Sequence, residues 1–327
     1  RRPTTASYYI WCPMTTPGQP ERSAWTGNTT QVLSYAATDP ERRIALPSGR
    51  FTTPGGAASI LLGLVLMGLL YGISWALRGT EWGDLVWKYL TGFSGIPIPI
   101  ALLSCWSASI LLLKALKIST QRTALRLRFM PADPGFVLSV ATVDRVIDSI
   151  EQGVDEPHRF LLLDRVLTAL KSIRNIGRIG DLDEMLNSAA EADDDAMDSG
   201  YTVVRGFIWA IPVLGFIGTI IGLTEAISGF GSVLQASDAT VDVLTTSLTE
   251  VIAGLDTAFV TTGEGLIAAL ILHLSLTFVR RSDERLLDDC RRYAARNITA
   301  HVRITPDTEV SVPTAGLSLT SGYGYIY

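Results

Sequence analysis

The chain has 327 residues, 47% of them hydrophobic and only 18% charged, and its mean hydropathy is +0.29. A net charge of −5, with no basic tract interleaved with aromatic residues, argues against nucleic acid as a partner. Cys12, Cys105 and Cys290 are too far apart for a disulfide framework or a zinc site and read as free thiols, so neither a metal nor another cofactor is expected.

The chain opens on Arg1-Arg2-Pro3 with no secretion-signal pattern, which leaves room for a leader removed earlier. Residues 1–50 are rich in Pro, Thr, Ser and Gly without a sustained period, and read as an irregular N-terminal tail. Residues 51–77 carry no charge, and 57–77 approach the roughly 20 apolar helical residues that a hydrocarbon core requires. A second uncharged stretch, 90–113, holds Ile96-Pro97-Ile98-Pro99 near its start, where proline suits the first turn of a helix. The connector at 78–91 is short, so residues 51–113 form a transmembrane hairpin.

Residues 114–205 change to mixed charge and read as a helical cytoplasmic insert. Within it Leu163, Val166, Leu167, Leu170 and Ile173 recur at three- and four-residue steps, the signature of an amphipathic helix. The acidic run Glu191-Ala192-Asp193-Asp194-Asp195 reads as a solvated loop or helix start, with a contact surface as the alternative. A third apolar run, 206–224, follows Arg205, and a fourth, 251–279, ends at Arg280-Arg281. Residues 280–327 begin as a charged helical extension and become a Pro-, Thr-, Ser- and Gly-rich tail.

Lys114, Lys117, Arg122, Arg126 and Arg128 follow the second span and Arg280, Arg281 and Arg285 the fourth, whereas the connector at 231–247 has no Lys or Arg. The positive-inside rule then places the insert and both termini in the cytoplasm. The fold class expected is all-α, a polytopic membrane protein with four transmembrane helices and a helical cytoplasmic insert.

The third span carries Pro212, Gly215, Gly218 and Gly222, and glycines four apart let helices approach closely in lipid. These residues are expected to serve packing, with Gly218→Leu breaking an oligomer before it breaks the fold. On the fourth span Thr257, Thr261, Glu264 and Ala268 fall on one side of a helix at about 100° per residue. A carboxylate deep in a bilayer is costly and tends to face a protein interior, a cavity or an ion route. Thr219, Asp256, Thr257, Thr261, Thr262 and Glu264 are therefore the candidate ion-path residues. The bland readings are solvation of Asp256 near the headgroups, a protonated packing role for Glu264, and threonine hydroxyls bonded back to their own helices. His158, His273 and His301 are isolated, and no phosphate loop or nucleophile elbow occurs, so no catalytic residue and no enzyme activity are expected.

The Gly-x-x-Gly-Thr-x-x-Gly core of Gly215, Gly218, Thr219 and Gly222 resembles the third helix of the MotA/TolQ/ExbB proton-channel family. The stretch from Ala258 to Ala269, with Thr261-Thr262 followed by Gly265-Leu266 and small residues, is similar to that family's fourth helix. The resemblance covers about residues 200–295. The order of two spans, insert and two spans is like MotA, whereas the wording of the last helices is closer to ExbB and TolQ. The fourth helix lacks the prolines of MotA, and Thr257, with Asp256 beside it, stands where ExbB-like proteins often carry a membrane glutamate. The resemblance implies a homopentamer in a bacterial inner membrane around two single-span MotB-, TolR- or ExbD-like subunits. Each partner would bear a membrane aspartate, and ion flow, of protons by the resemblance, would drive a motor. The alternative is a non-conducting tetraspan scaffold.

Overall fold

The computed structural model describes residues 33–43, 48–49, 51–91, 95–125, 140–176, 182–234 and 241–297. Ten helices occur among them: α1 (Tyr35–Thr38), α2 (Pro40–Arg43), α3 (Gly56–Ala76), α4 (Glu81–Thr91), α5 (Pro97–Ala124), α6 (Val140–Gly153), α7 (Leu161–Ile176), α8 (Leu182–Ser199), α9 (Thr202–Leu234) and α10 (Val241–Asn297). A two-residue parallel pairing of β1 (Leu33–Ser34) with β2 (Val154–Asp155) is the sole strand contact among the described residues. Four helices, α3, α5, α9 and α10, contain stretches long and apolar enough to cross a bilayer. The chain is an all-α, multi-pass membrane protein.

Several elements differ from the sequence expectation, each for a local reason. The connector at 78–91 contains α4, because Thr80 caps its start: the Thr80 hydroxyl accepts the Gly83 amide at 3.1 Å and Glu81 and Asp84 occupy the first turn. The connector at 231–247 is shortened from both sides, since α9 runs to Leu234 and α10 starts at Val241. At 57 residues α10 is about 86 Å long at 1.5 Å per residue, so its apolar stretch and its charged extension are one continuous helix. The acidic run lies inside α8 rather than at its start. There Asp193 pairs with the buried Arg165 of α7 at 2.5 Å, and Asp194 pairs with Arg291 of α10.

Two cores result. Outside the apolar spans, Val146 and Ile150 of α6 pack with Phe160 and with Leu163, Leu167 and Leu170 of α7. Leu286, Leu287 and Cys290 from the α10 extension complete this cluster. Burial pushes the Cys290 thiol up to about 12. Within the spans, Ile110 and Leu111 of α5 meet Ile211 of α9 and Ala269, Leu272 and Leu276 of α10.

A buried polar layer joins the two cores just beyond the apolar stretch of α5. Lys114 and Lys117, counted above only as flanking positive charge, are fully covered. Lys117 pairs with Glu41 at 2.6 Å and also donates to the Gly49 and Thr53 carbonyls. Glu41 in turn accepts the Gly49 and Gly55 amides at 3.0 and 2.7 Å. Lys114 lies 3.5 Å above the Tyr201 ring and meets Asp283, which also accepts the hydroxyls of Tyr201 and Thr52. Burial raises the Asp283 carboxyl and lowers the Lys114 ammonium relative to their ordinary ranges, each opposed by the partner's charge. Residues 33–43, 48–49 and 51–55 are thereby fastened to α5 and α10, so the described part of the expected irregular tail is structured. Residues 1–32, and Cys12 with them, lie outside the described residues, as does His301.

Candidate functional site: the α9–α10 pair

Helices α9 and α10 meet backbone to backbone because the residues between them are small. A Cβ added at Gly215 would sit 2.9 Å from the Thr261 carbonyl oxygen, one at Gly218 2.4 Å from the Thr261 hydroxyl, and one at Gly222 2.7 Å from the Gly254 carbonyl oxygen. From the α10 side, a Cβ at Gly254 would meet Ala226 at 2.7 Å, and one at Gly265 the Ile211 carbonyl at 3.0 Å and the Pro212 Cα at 3.6 Å. The contacts follow Ile211, Gly215, Gly218, Gly222 and Ala226 on α9 and Gly254, Ala258, Thr261 and Gly265 on α10. Both series advance in steps of three and four. Hydrophobic burial between helices is no driving force within lipid, so close van der Waals contact along this seam is what holds the two spans together.

The seam corrects one expectation. Gly215, Gly218 and Gly222 are occupied by contacts within a single chain, so a leucine at 218 strikes the fold of the subunit directly. It also shows what the sequence reading missed, namely Gly254, Ala258 and Gly265 as the matching surface. Their four- and seven-residue spacing in an apolar run was the available signal.

The polar residues do not share one environment. Thr261 is fully buried in the seam, and its hydroxyl donates to the Thr257 and Ala258 carbonyls of its own helix. Thr219 and Thr262 are half-buried and flank the seam together: a Cβ at Gly215, beside Thr219's face, would lie 3.2 Å from the Thr262 Cα. Their hydroxyls donate to Phe216 and Ala258 at 2.7 and 3.0 Å. Both keep acceptor lone pairs for water or a proton-bearing group.

The opposite flank faces α5. Phe207 of α9 packs against Trp106 of α5 with ring centroids 4.9 Å apart and planes inclined at 49°, and Leu214 and Ala268 pack against the Ile110–Leu111 cluster. Thr257 and Glu264 fall on this side of α10 by the helical period. Thr257 is half-buried and donates to Ala253 at 2.9 Å. Glu264 is half-buried, with Oε2 covered and lacking a hydrogen-bond partner among the described residues, and Tyr71 of α3 lies within its electrostatic reach. Asp256 is exposed on the back of α10. The six residues named from the sequence thus divide into a threonine pair on one flank, a Thr257–Glu264 pair on the other, one seam residue and one outward carboxylate.

Large apolar side chains cover the outer faces of both helices. Phe216 is 61% exposed, Phe259 69% and Phe278 72%. These faces of α9 and α10 offer extensive apolar surface to lipid or to other membrane helices. Cys105 and Cys290 are free, and no cluster of three metal-ligating side chains occurs among the described residues.

Residues 162–292 match the family model described as the MotA/TolQ/ExbB proton channel family, a stretch from α7 to near the end of α10. No curated protein and no solved structure matches the chain.

Proposed function

From the match of residues 162–292 to the model of the MotA/TolQ/ExbB proton channel family, we propose that this chain is the ring-forming subunit of a proton-driven membrane motor. Five copies surround two single-span subunits similar to MotB, TolR or ExbD, and each partner helix brings a membrane aspartate. The observation that carries this reading is the matched domain together with the position of Thr219 and Thr262. Both sit half-buried on one flank of the close-packed α9–α10 pair, on the side away from α5.

In the ring the Thr219–Thr262 flank lines the ion route. The threonines accept hydrogen bonds from water or from the protonated partner aspartate and need not titrate. The glycine seam keeps α9 and α10 from moving apart, so their hydroxyls hold fixed positions while the partner helix changes its own. Thr257 and Glu264 lie behind the pair, where Glu264 holds or passes a proton within the subunit, and Asp256 serves the outer approach. The subunit sits in a bacterial inner membrane, and α6–α8, the α10 extension and both termini are cytoplasmic. Residues 114–205 are its helical insert and 280–327 its extension and tail.

A second reading, a non-conducting tetraspan scaffold, draws on one observation: Thr219, Thr257, Thr261 and Thr262 all donate to their own helices. Pull-down from the native membrane followed by native mass measurement separates the two. The motor reading expects five copies with two of a one-span protein that has an aspartate just inside its span. A stable monomer under mild extraction, with no such partner, would favour the scaffold. For orientation, a single cysteine at Ala239, in the connector outside the described residues, should react with an impermeant thiol reagent from the outer side of intact cells.

A further inference from the structure

Where α9 and α10 leave the apolar layer, a cleft of about 560 Å³ opens between them. Arg205, Arg280 and Arg281 stand at one end, Ile208 and Leu276 form a wall, and His273 marks the other end. His273 precedes Arg280 by seven residues, about 10 Å along the helix. The cleft therefore starts among charged residues at the membrane border and reaches into the apolar zone, the depth spanned by a phospholipid from its phosphate to the start of its acyl chains.

Two of the arginines are held in place by ion pairs. Asp198 bridges them, meeting Arg205 at 2.5 Å and Arg280 at 3.1 Å, and Glu284 meets Arg280 at 3.1 Å. Arg205 holds the Asp198 carboxyl below its usual range, so this clamp stays charged. Arg281 is exposed and makes no ion pair among the described residues. Three arginines against Asp198 and Glu284 leave one positive charge, which one phosphodiester anion would neutralise.

We propose that this cleft binds one anionic phospholipid of the leaflet bordering α6–α8, its phosphate at Arg280 and Arg281 and its acyl chain along Ile208 and Leu276. A basic pocket between membrane helices beside an apolar wall suits a charged lipid headgroup. Neither a soluble anion nor an uncharged lipid uses both halves. The lipid would fill the gap at the end of the α9–α10 seam, where the packing changes from glycine contacts to long side chains.

The test uses the full-length chain in nanodiscs of phosphatidylcholine with graded phosphatidylglycerol, and native mass measurement counts the lipids retained. One phosphatidylglycerol per chain should stay bound in preference to phosphatidylcholine. Arg281→Gln, which breaks no ion pair among the described residues, should weaken that retention about fivefold, the factor for about 1 kcal/mol per basic residue at an anionic surface. Ile208→Trp should displace the lipid without altering charge. Equal retention of both lipids, or wild-type retention in both variants, overturns the proposal. So does displacement of the lipid by millimolar inorganic phosphate, which would mark a free-anion site. A cleft sealed by a neighbouring copy, with no lipid retained per chain, overturns it as well.

Discussion

Gly218→Leu tests the seam most sharply. Even the first carbon of the new side chain would lie 2.4 Å from the Thr261 hydroxyl and 2.7 Å from its Cβ, and Thr261 is itself fully buried. Overpacking of this kind costs about 1–3 kcal/mol for a modest insertion. Replacing glycine inside a helix recovers at most about 1 kcal/mol of propensity. Gly218→Ala should therefore lose up to about 2 kcal/mol and Gly218→Leu more. Gly206→Leu, where an added Cβ meets nothing within 4 Å, should change little. Stability is read from reversible unfolding of the chain in detergent, beside its oligomer size. Thr261→Gly should rescue Gly218→Ala in part, because it removes the atoms that clash, and a double-mutant cycle isolates that coupling. If Gly218→Leu unfolds like the wild type and loses only its oligomer, the contact is between chains and the intrasubunit seam is wrong.

Three further outcomes follow from the same geometry. Lys117→Met should destabilise the chain by about 3–5 kcal/mol because it strands the buried Glu41 carboxylate, and Lys117→Met with Glu41→Leu should cost clearly less than the two single changes added together, as denaturant titrations would show. Stability should fall as the pH rises above about 9, by up to about 1.4 kcal/mol per unit, because the Cys290 thiol ionises there only in the unfolded chain; folded, it is held up to about 12. Cys290→Ala should remove that component from the alkaline melting profile. Thr262→Val should preserve assembly while lowering proton uptake into vesicles, whereas Thr261→Val, at a residue sealed in the seam, should leave uptake nearly unchanged.

The four spans were legible because a bilayer imposes a length and a composition that concentrate apolar residues into runs. That Gly215, Gly218 and Gly222 share one helix face was legible, since steps of three and four follow directly from the helical period. Their partner was not, because a glycine seam within a chain and one between chains have the same sequence signature. Thr257, Thr261 and Glu264 were grouped as a stripe for a similar reason: the period fixes which residues neighbour one another on a helix, but only α5 and α9 decide which of them is buried. Lys114 and Lys117 were read only as positive charge flanking the second span, and Glu41 and Asp283 were given no role of their own. Their pairing joins residues more than 70 positions apart, for which no local pattern exists.

The central claim, that the α9–α10 pair forms a proton route completed by a partner helix, is tested by reconstituting the chain in sealed vesicles and following internal pH under an imposed gradient. The chain alone should leak little, the chain with its one-span partner should conduct, and changing the partner's membrane aspartate to asparagine should return the flux to background. Undiminished uptake with the altered partner, or no uptake by a correctly assembled complex, would contradict the account.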